Sequence, residues 1–185
     1  LNALSFFAVF WALSGIAFPV DADRRAGAGW RQSWIEGFRY VIDFAPARAL
    51  LSLVAVLAWT IIPYISLMPV YAKDVYGGGP QTLGLLLASG GAGALLATLY
   101  LAGRRDVIGL PSVIVVAAAA SGVALAAFAY LRYLPFAVPL IVIFGGGMIL
   151  VAASANTILQ TIVDDRLRGR VPGFFMLSFL GVAPL

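Results

Sequence analysis

The sequence predicts an all-α integral membrane protein, a partial bundle of transmembrane helices, and two observations carry that expectation. Hydrophobic residues are 62% of the 185 and charged residues only 11%, with a mean hydropathy of +1.00. A soluble domain has about 25% charged residues, so this chain cannot clothe itself in a hydrated surface. The apolar residues also fall in long, unalternating runs. A helix rises about 1.5 Å per residue and needs roughly 20 residues to cross the hydrocarbon, whereas barrel strands alternate polarity over about ten.

Six runs meet or approach that length: Leu1–Val20, Ala49–Ala72, Leu83–Ala102, Leu110–Leu131, Leu134–Ile162 and Val171–Leu185. After the first comes a charged island, Asp21–Arg48, with Arg24, Arg25, Arg31, Arg39 and Arg48 against Asp21, Asp23, Glu36 and Asp43. Within it Trp30, Trp34, Phe38, Val41, Ile42 and Ala45 recur at helical spacing and form one apolar stripe. Two tryptophans beside arginines, just before a span, suit a helix lying along the headgroup boundary. A solvated linker helix packed on protein is the plainer alternative.

Ala49–Ala72 carries Trp59, Thr60, Pro63, Tyr64, Ser66 and Pro69. Each proline removes a backbone donor and can kink the helix, either as a packing feature or where backbone borders a cavity. Leu83–Ala102 is rich in small residues, Gly84, Gly90, Gly91, Gly93, Ala94 and Ala97, which let helix backbones approach. That suits fixed packing or a sliding surface. Leu134–Ile162 places Gly145, Gly146 and Gly147 mid-run and Ser154, Asn156, Thr157 and Gln160 near its end. Asn156 and Gln160, four apart, share a helix face; they either bond a neighbouring helix or line a substrate path. Thr60 and Tyr64 join them as pathway candidates.

Loop charge orients these runs. The island, the loop 103–109 with Arg104 and Arg105, and the loop 163–170 with Arg166, Arg168 and Arg170 hold ten of the twelve basic residues; Lys73 and Arg132 sit in the alternate loops. The positive-inside bias therefore puts loops 21–48, 103–109 and 163–170 in the cytoplasm; the expected location of this multi-pass chain is the cell's inner (plasma) membrane. The same bias accounts for the net charge of +4, so no nucleic-acid partner is expected. Asp164, Asp165, Arg166, Arg168 and Arg170 could form charge-assisted pairs with other inside loops, bonds that would bias a conformational equilibrium if made in one state only. They are candidate cytoplasmic gate residues, with Arg104, Arg105 and Asp106 as secondary ones.

The chain has no Cys and no His, and its six runs carry no Asp, Glu, Lys or Arg. Thiol chemistry, the commonest metal ligands and intramembrane proton relays are thus missing from the runs. An enzyme is not expected, and neither is a metal or cofactor. Leu1 lacks the pattern of a signal peptide, and Leu185 falls within a run too short to span. Both ends are read as those of an internal piece of a longer protein.

Several stretches resemble the enterobactin-exporter-like, transmembrane secretion effector group of the major facilitator superfamily. Asn2-Ala3-Leu4-Ser5-Phe6 is similar to the start of that group's sixth span, and Trp34–Val41 to its central-loop helix. Pro69-Val70-Tyr71-Ala72-Lys73-Asp74-Val75 is similar to the end of the seventh span, Leu83–Leu87 with the glycines after it to the eighth. Asn156–Gln160 and Arg166–Val171 resemble the end of the tenth span and its following loop, while Arg104-Arg105-Asp106 is a degenerate form of the superfamily's inside-loop signature. The resemblance implies a partial major-facilitator-type bundle of about five full spans plus one truncated. Residues 1–20 would close the N-terminal half, 21–48 would be the central cytoplasmic loop, and 49–185 part of the C-terminal half. It further implies a secondary transporter that exports a small molecule such as a drug or siderophore by alternating access, coupled to protons through the missing half and working as a monomer in the lipid bilayer. A non-transporting membrane assembly protein built on the same bundle is the alternative.

Overall fold

The computed structural model describes residues 39, 42–104 and 107–162. The runs Leu1–Val20 and Val171–Leu185, and the stripe residues Trp30, Trp34 and Phe38, lie outside the described residues. Among the described residues four helices are long and apolar enough to cross a membrane. They are α1 (Ala45–Val70), α2 (Pro80–Ala102), α3 (Leu110–Tyr130) and α4 (Leu134–Ile162).

Arg39, Ile42 and Asp43 precede the bundle in helical conformation. Arg39 and Asp43, four apart, form an exposed 3.7 Å ion pair of the kind that contributes little stability. Phe44 breaks the helix with an extended backbone, and Arg48 Nη1 donates to the Ile42 carbonyl at 3.1 Å, covering an acceptor the broken helix leaves open. α1 therefore starts at Ala45, four residues ahead of the apolar run. Pro46 sits in its first turn, where a missing N–H costs nothing. α2 and α3 start the same way.

At its far end α1 does not stop with its apolar residues. Pro69 removes a donor, and from Tyr71 to Val75 the helix widens into a π turn. Gly77, left-handed at φ +60°, then reverses the chain so that the Gly78 N–H bonds the Ala72 carbonyl at 2.9 Å. Lys73 and Asp74 thereby belong to the helical rod that ends at Val75.

α4 is the hub: it touches each of the other three helices, with α2 and α3 packed most extensively against it. Residues Leu131–Tyr133 turn α3 back into α4, making an antiparallel pair. α2 runs alongside α4 in the same direction, and glycine meets glycine along the contact. A Cβ on Gly146 would lie 3.0 Å from the Gly93 carbonyl, and one on Gly145 would overlap the Gly90 carbonyl. On the other side, a Cβ on Gly147 would collide with the Ser121 side chain. Lipid offers apolar helices little net drive to associate, so close backbone packing has to hold them.

Two buried clusters complete the bundle. Val54 and Leu57 of α1, Ile114, Ala117 and Ala124 of α3, and Phe144, Met148, Val151 and Ala155 of α4 form one. Met68 and Ala72 from the end of α1, Leu86 of α2, Phe128 of α3, and Ala137 and Ile141 of α4 form the second.

Candidate functional site

Thr60 and Tyr64 are both half-buried on α1. The Thr60 hydroxyl donates to the Val56 carbonyl one turn back, at 2.9 Å, so its polarity is absorbed by its own helix. Tyr64 differs. Its ring packs on Phe144 of α4, centroids 4.6 Å apart and planes tilted by 48°. Its hydroxyl reaches over Gly90 of α2, where an added Cβ would lie 3.5 Å from it. It has no hydrogen-bond partner among the described residues. A phenol that bridges three helices at mid-bundle, with its hydroxyl uncommitted, is a group able to bond a passing solute.

Asn156 and Gln160 lie elsewhere. They share a face of α4, and Gln160 Nε2 donates to Asn156 Oδ1 at 3.1 Å. Among the described residues this amide pair bonds within itself and not to a second helix. Thr157 and Thr161 likewise donate to carbonyls of their own helix, at 2.9 and 2.8 Å. Asn156 is twelve residues beyond Phe144 on α4, about 18 Å along the axis. The four pathway candidates thus fall at two levels, Thr60 and Tyr64 at mid-bundle, Asn156 and Gln160 near one end.

Of the gate candidates, Arg104 alone is among the described residues; Arg105, Asp106, Asp164, Asp165, Arg166, Arg168 and Arg170 lie outside them. Arg104 caps its own turn. Nη1 donates to the Tyr100 hydroxyl at 3.2 Å, Nη2 to the Ile108 carbonyl at 3.3 Å, and the guanidinium stands 5.6 Å from the Tyr100 ring centroid. It ties the end of α2 to the start of α3.

The opposite end holds a cluster that sequence reasoning missed. Tyr71 lies 4.8 Å and Tyr76 6.4 Å, centroid to centroid, from Phe128 of α3. The Tyr76 hydroxyl donates to the Leu131 carbonyl at 3.0 Å, and that of Tyr71 to the Ala129 carbonyl at 3.5 Å. The end of α1 is thereby clamped to the α3–α4 turn, where α3 leaves carbonyls without partners in its own helix. The sequence held one hint, two tyrosines between Pro69 and the glycines 77–79. Their spacing is not helical for an α turn, and only the π turn brings both onto Phe128.

A family model described as transmembrane secretion effector, of the major facilitator group, matches residues 1–183. No curated protein and no solved structure matches the chain. A match over almost the whole sequence, together with three membrane-length helices gathered around a fourth, α4, shows that the chain belongs to the transmembrane secretion effector family of major facilitator transporters.

Proposed function

We infer that the protein exports a small molecule, such as a drug or siderophore, across the cytoplasmic membrane by alternating access, driven by proton influx. The family supplies the class of activity. The observation that carries the reading further is Tyr64: a hydroxyl at mid-bundle, uncommitted among the described residues, on a helix with Pro63 and Pro69 inside it, facing Phe144 and Gly90. Prolines weaken the backbone ladder of α1 on either side of that hydroxyl, which favours movement of α1 against the glycine-joined α2–α4 pair. Solute would meet Thr60 and Tyr64 at mid-membrane, and Asn156 and Gln160 toward the cytoplasmic end. Loop 163–170, with Asp164, Asp165, Arg166, Arg168 and Arg170, would close that end, with Arg104, Arg105 and Asp106 supporting it. The proton site belongs to the rest of the transporter, since these helices carry no acid between Ala45 and Val70 or within α2, α3 and α4.

The test uses full-length protein in energised inside-out vesicles. Fluorescent drugs and a labelled catecholate siderophore should accumulate, and a protonophore should abolish the accumulation. Accumulation that survives the protonophore would overturn proton coupling; none for any compound, with the protein correctly inserted, would count against export of these classes. Neutralising Arg166 and Arg168 together should change both transport and labelling from the inside. If neither changes, the loop is not a gate.

A further inference from the structure

On the side of α4 away from Tyr64, α2 and α3 stand apart and leave a groove of about 570 Å³ floored by α4. Gly146 and Gly147 lie on its floor and Gly93 on one wall. Its rims are Leu96 and Tyr100 of α2 and Ser112 and Val116 of α3. These rims are apolar and open, Leu96 being 61% and Val116 68% exposed. The groove starts near mid-membrane at Gly93 and runs toward Tyr100 and Ser112, the end where Arg104 stands.

Arg104 gives the groove a charged mouth. Two of its nitrogens are held by Tyr100 and Ile108, which fix the guanidinium over the groove's own Tyr100 wall. A guanidinium has five N–H donors, so Arg104 keeps donors for an anion. An apolar trough of ligand size (sites run about 300–1,000 Å³), ending at a fixed cation on the side that loop charge assigns to the cytoplasm, matches one bilayer component in both halves. Anionic lipids are concentrated in the cytoplasmic leaflet and bind basic pockets between helices there.

We propose that this groove is a binding site for one acyl chain of an anionic phospholipid, with its phosphate on Arg104. The site is separate from the solute pathway at Tyr64, and it gives Arg104 a role beyond the one beside the cytoplasmic gate. Lipid in it fills the space between α2 and α3, and fixes the spacing of the two helices on the cytoplasmic side.

The experiment is native mass spectrometry of the full-length protein after equilibration with equal amounts of phosphatidylglycerol and phosphatidylcholine carrying the same acyl chains. The wild type should retain phosphatidylglycerol preferentially. Arg104→Gln should reduce that preference at least threefold, whereas Arg104→Lys, which keeps the charge, should retain most of it. Equal loss in both variants would mean that Arg104 only holds the turn, and would overturn the headgroup assignment. Val116→Trp should lower retention of both lipids without lowering thermal stability, because the residue faces the open groove. If Val116→Trp instead destabilises the protein and leaves lipid retention unchanged, a protein segment or a second copy of the chain fills the groove and the proposal is wrong.

Discussion

Gly93 of α2 lies against the carbonyl of Val142 in α4 so closely that a Cβ at position 93 would overlap it, and would also come within 2.8 Å of the Gly146 nitrogen. The obstacle is backbone, which cannot rotate aside. Gly91, two residues earlier on the same helix, is exposed and has nothing within 4 Å of an added Cβ. Gly93→Ala should therefore force the two helices apart and cost about 1–3 kcal/mol. Gly91→Ala should be neutral or stabilising by up to about 1 kcal/mol, from helix propensity. Thermal unfolding of the two variants in detergent decides it; equal midpoints would mean the α2–α4 contact is looser than described.

The bond from Tyr76 to Leu131 carries a second prediction. Tyr76→Phe keeps the ring on Phe128 and loses only the hydrogen bond, for a cost of about 0.5–1.5 kcal/mol. Burial, and then the neighbouring Tyr71, raises the Tyr76 pKa above its ordinary 10.0. Because the folded-state value is the higher one, the contribution is fully present below pH about 10 and is lost as pH rises through the raised value. The useful quantity is the stability difference between wild type and Tyr76→Phe. That difference should be constant from pH 6 to 9 and shrink above about 10. A difference that changes between pH 6 and 9 would refute the assignment.

Tyr64 separates a transport role from a packing role. Its hydroxyl bonds nothing among the described residues, so Tyr64→Phe should leave the melting temperature unchanged while altering export of a bonded solute about 2- to 10-fold, the worth of one hydrogen bond. Tyr64→Ala also removes the contact with Phe144 and should destabilise by roughly 0.5–3 kcal/mol. Unchanged transport in Tyr64→Phe across several solutes would take the hydroxyl out of the pathway.

The absence of cysteine from the chain makes single-cysteine labelling a direct test of orientation. Lys73→Cys should react with an impermeant maleimide in right-side-out vesicles. Ile108→Cys, at a position 85% exposed, and Gln160→Cys should react in inside-out vesicles. Since Gln160 bonds only Asn156, one turn away, among the described residues, its substitution should cost no more than about 0.5 kcal/mol. Reaction of Lys73→Cys and Ile108→Cys from the same side would contradict the orientation read from loop charge.

Much of the fold was legible in the sequence because length and hydrophobicity are local properties. The apolar runs located α1 to α4 to within a few residues, and the four-residue step from Asn156 to Gln160 placed both amides on one face. What those amides bond was not legible. A buried amide in lipid needs a partner, and spacing alone does not say whether it comes from the same helix or the next. Helix ends were also hidden, since Pro46 and the π turn at Tyr71–Val75 extend α1 beyond its apolar stretch.

The sequence by itself determined that this chain enters a membrane, that its segments there are helices, and that arginine-rich loops alternate with poor ones. Those follow from the cost of taking charge and unpaired backbone into hydrocarbon, which acts on each segment separately. Only the tertiary structure decided that α4 is the hub, that Gly90, Gly93, Gly145 and Gly146 are pressed together, and that among the described residues Tyr64 keeps a free hydroxyl while Thr60 does not. In a helix apolar on every side no face is singled out by its composition. Which face meets protein is settled by backbone fit between helices, and a single segment's sequence does not contain that fit.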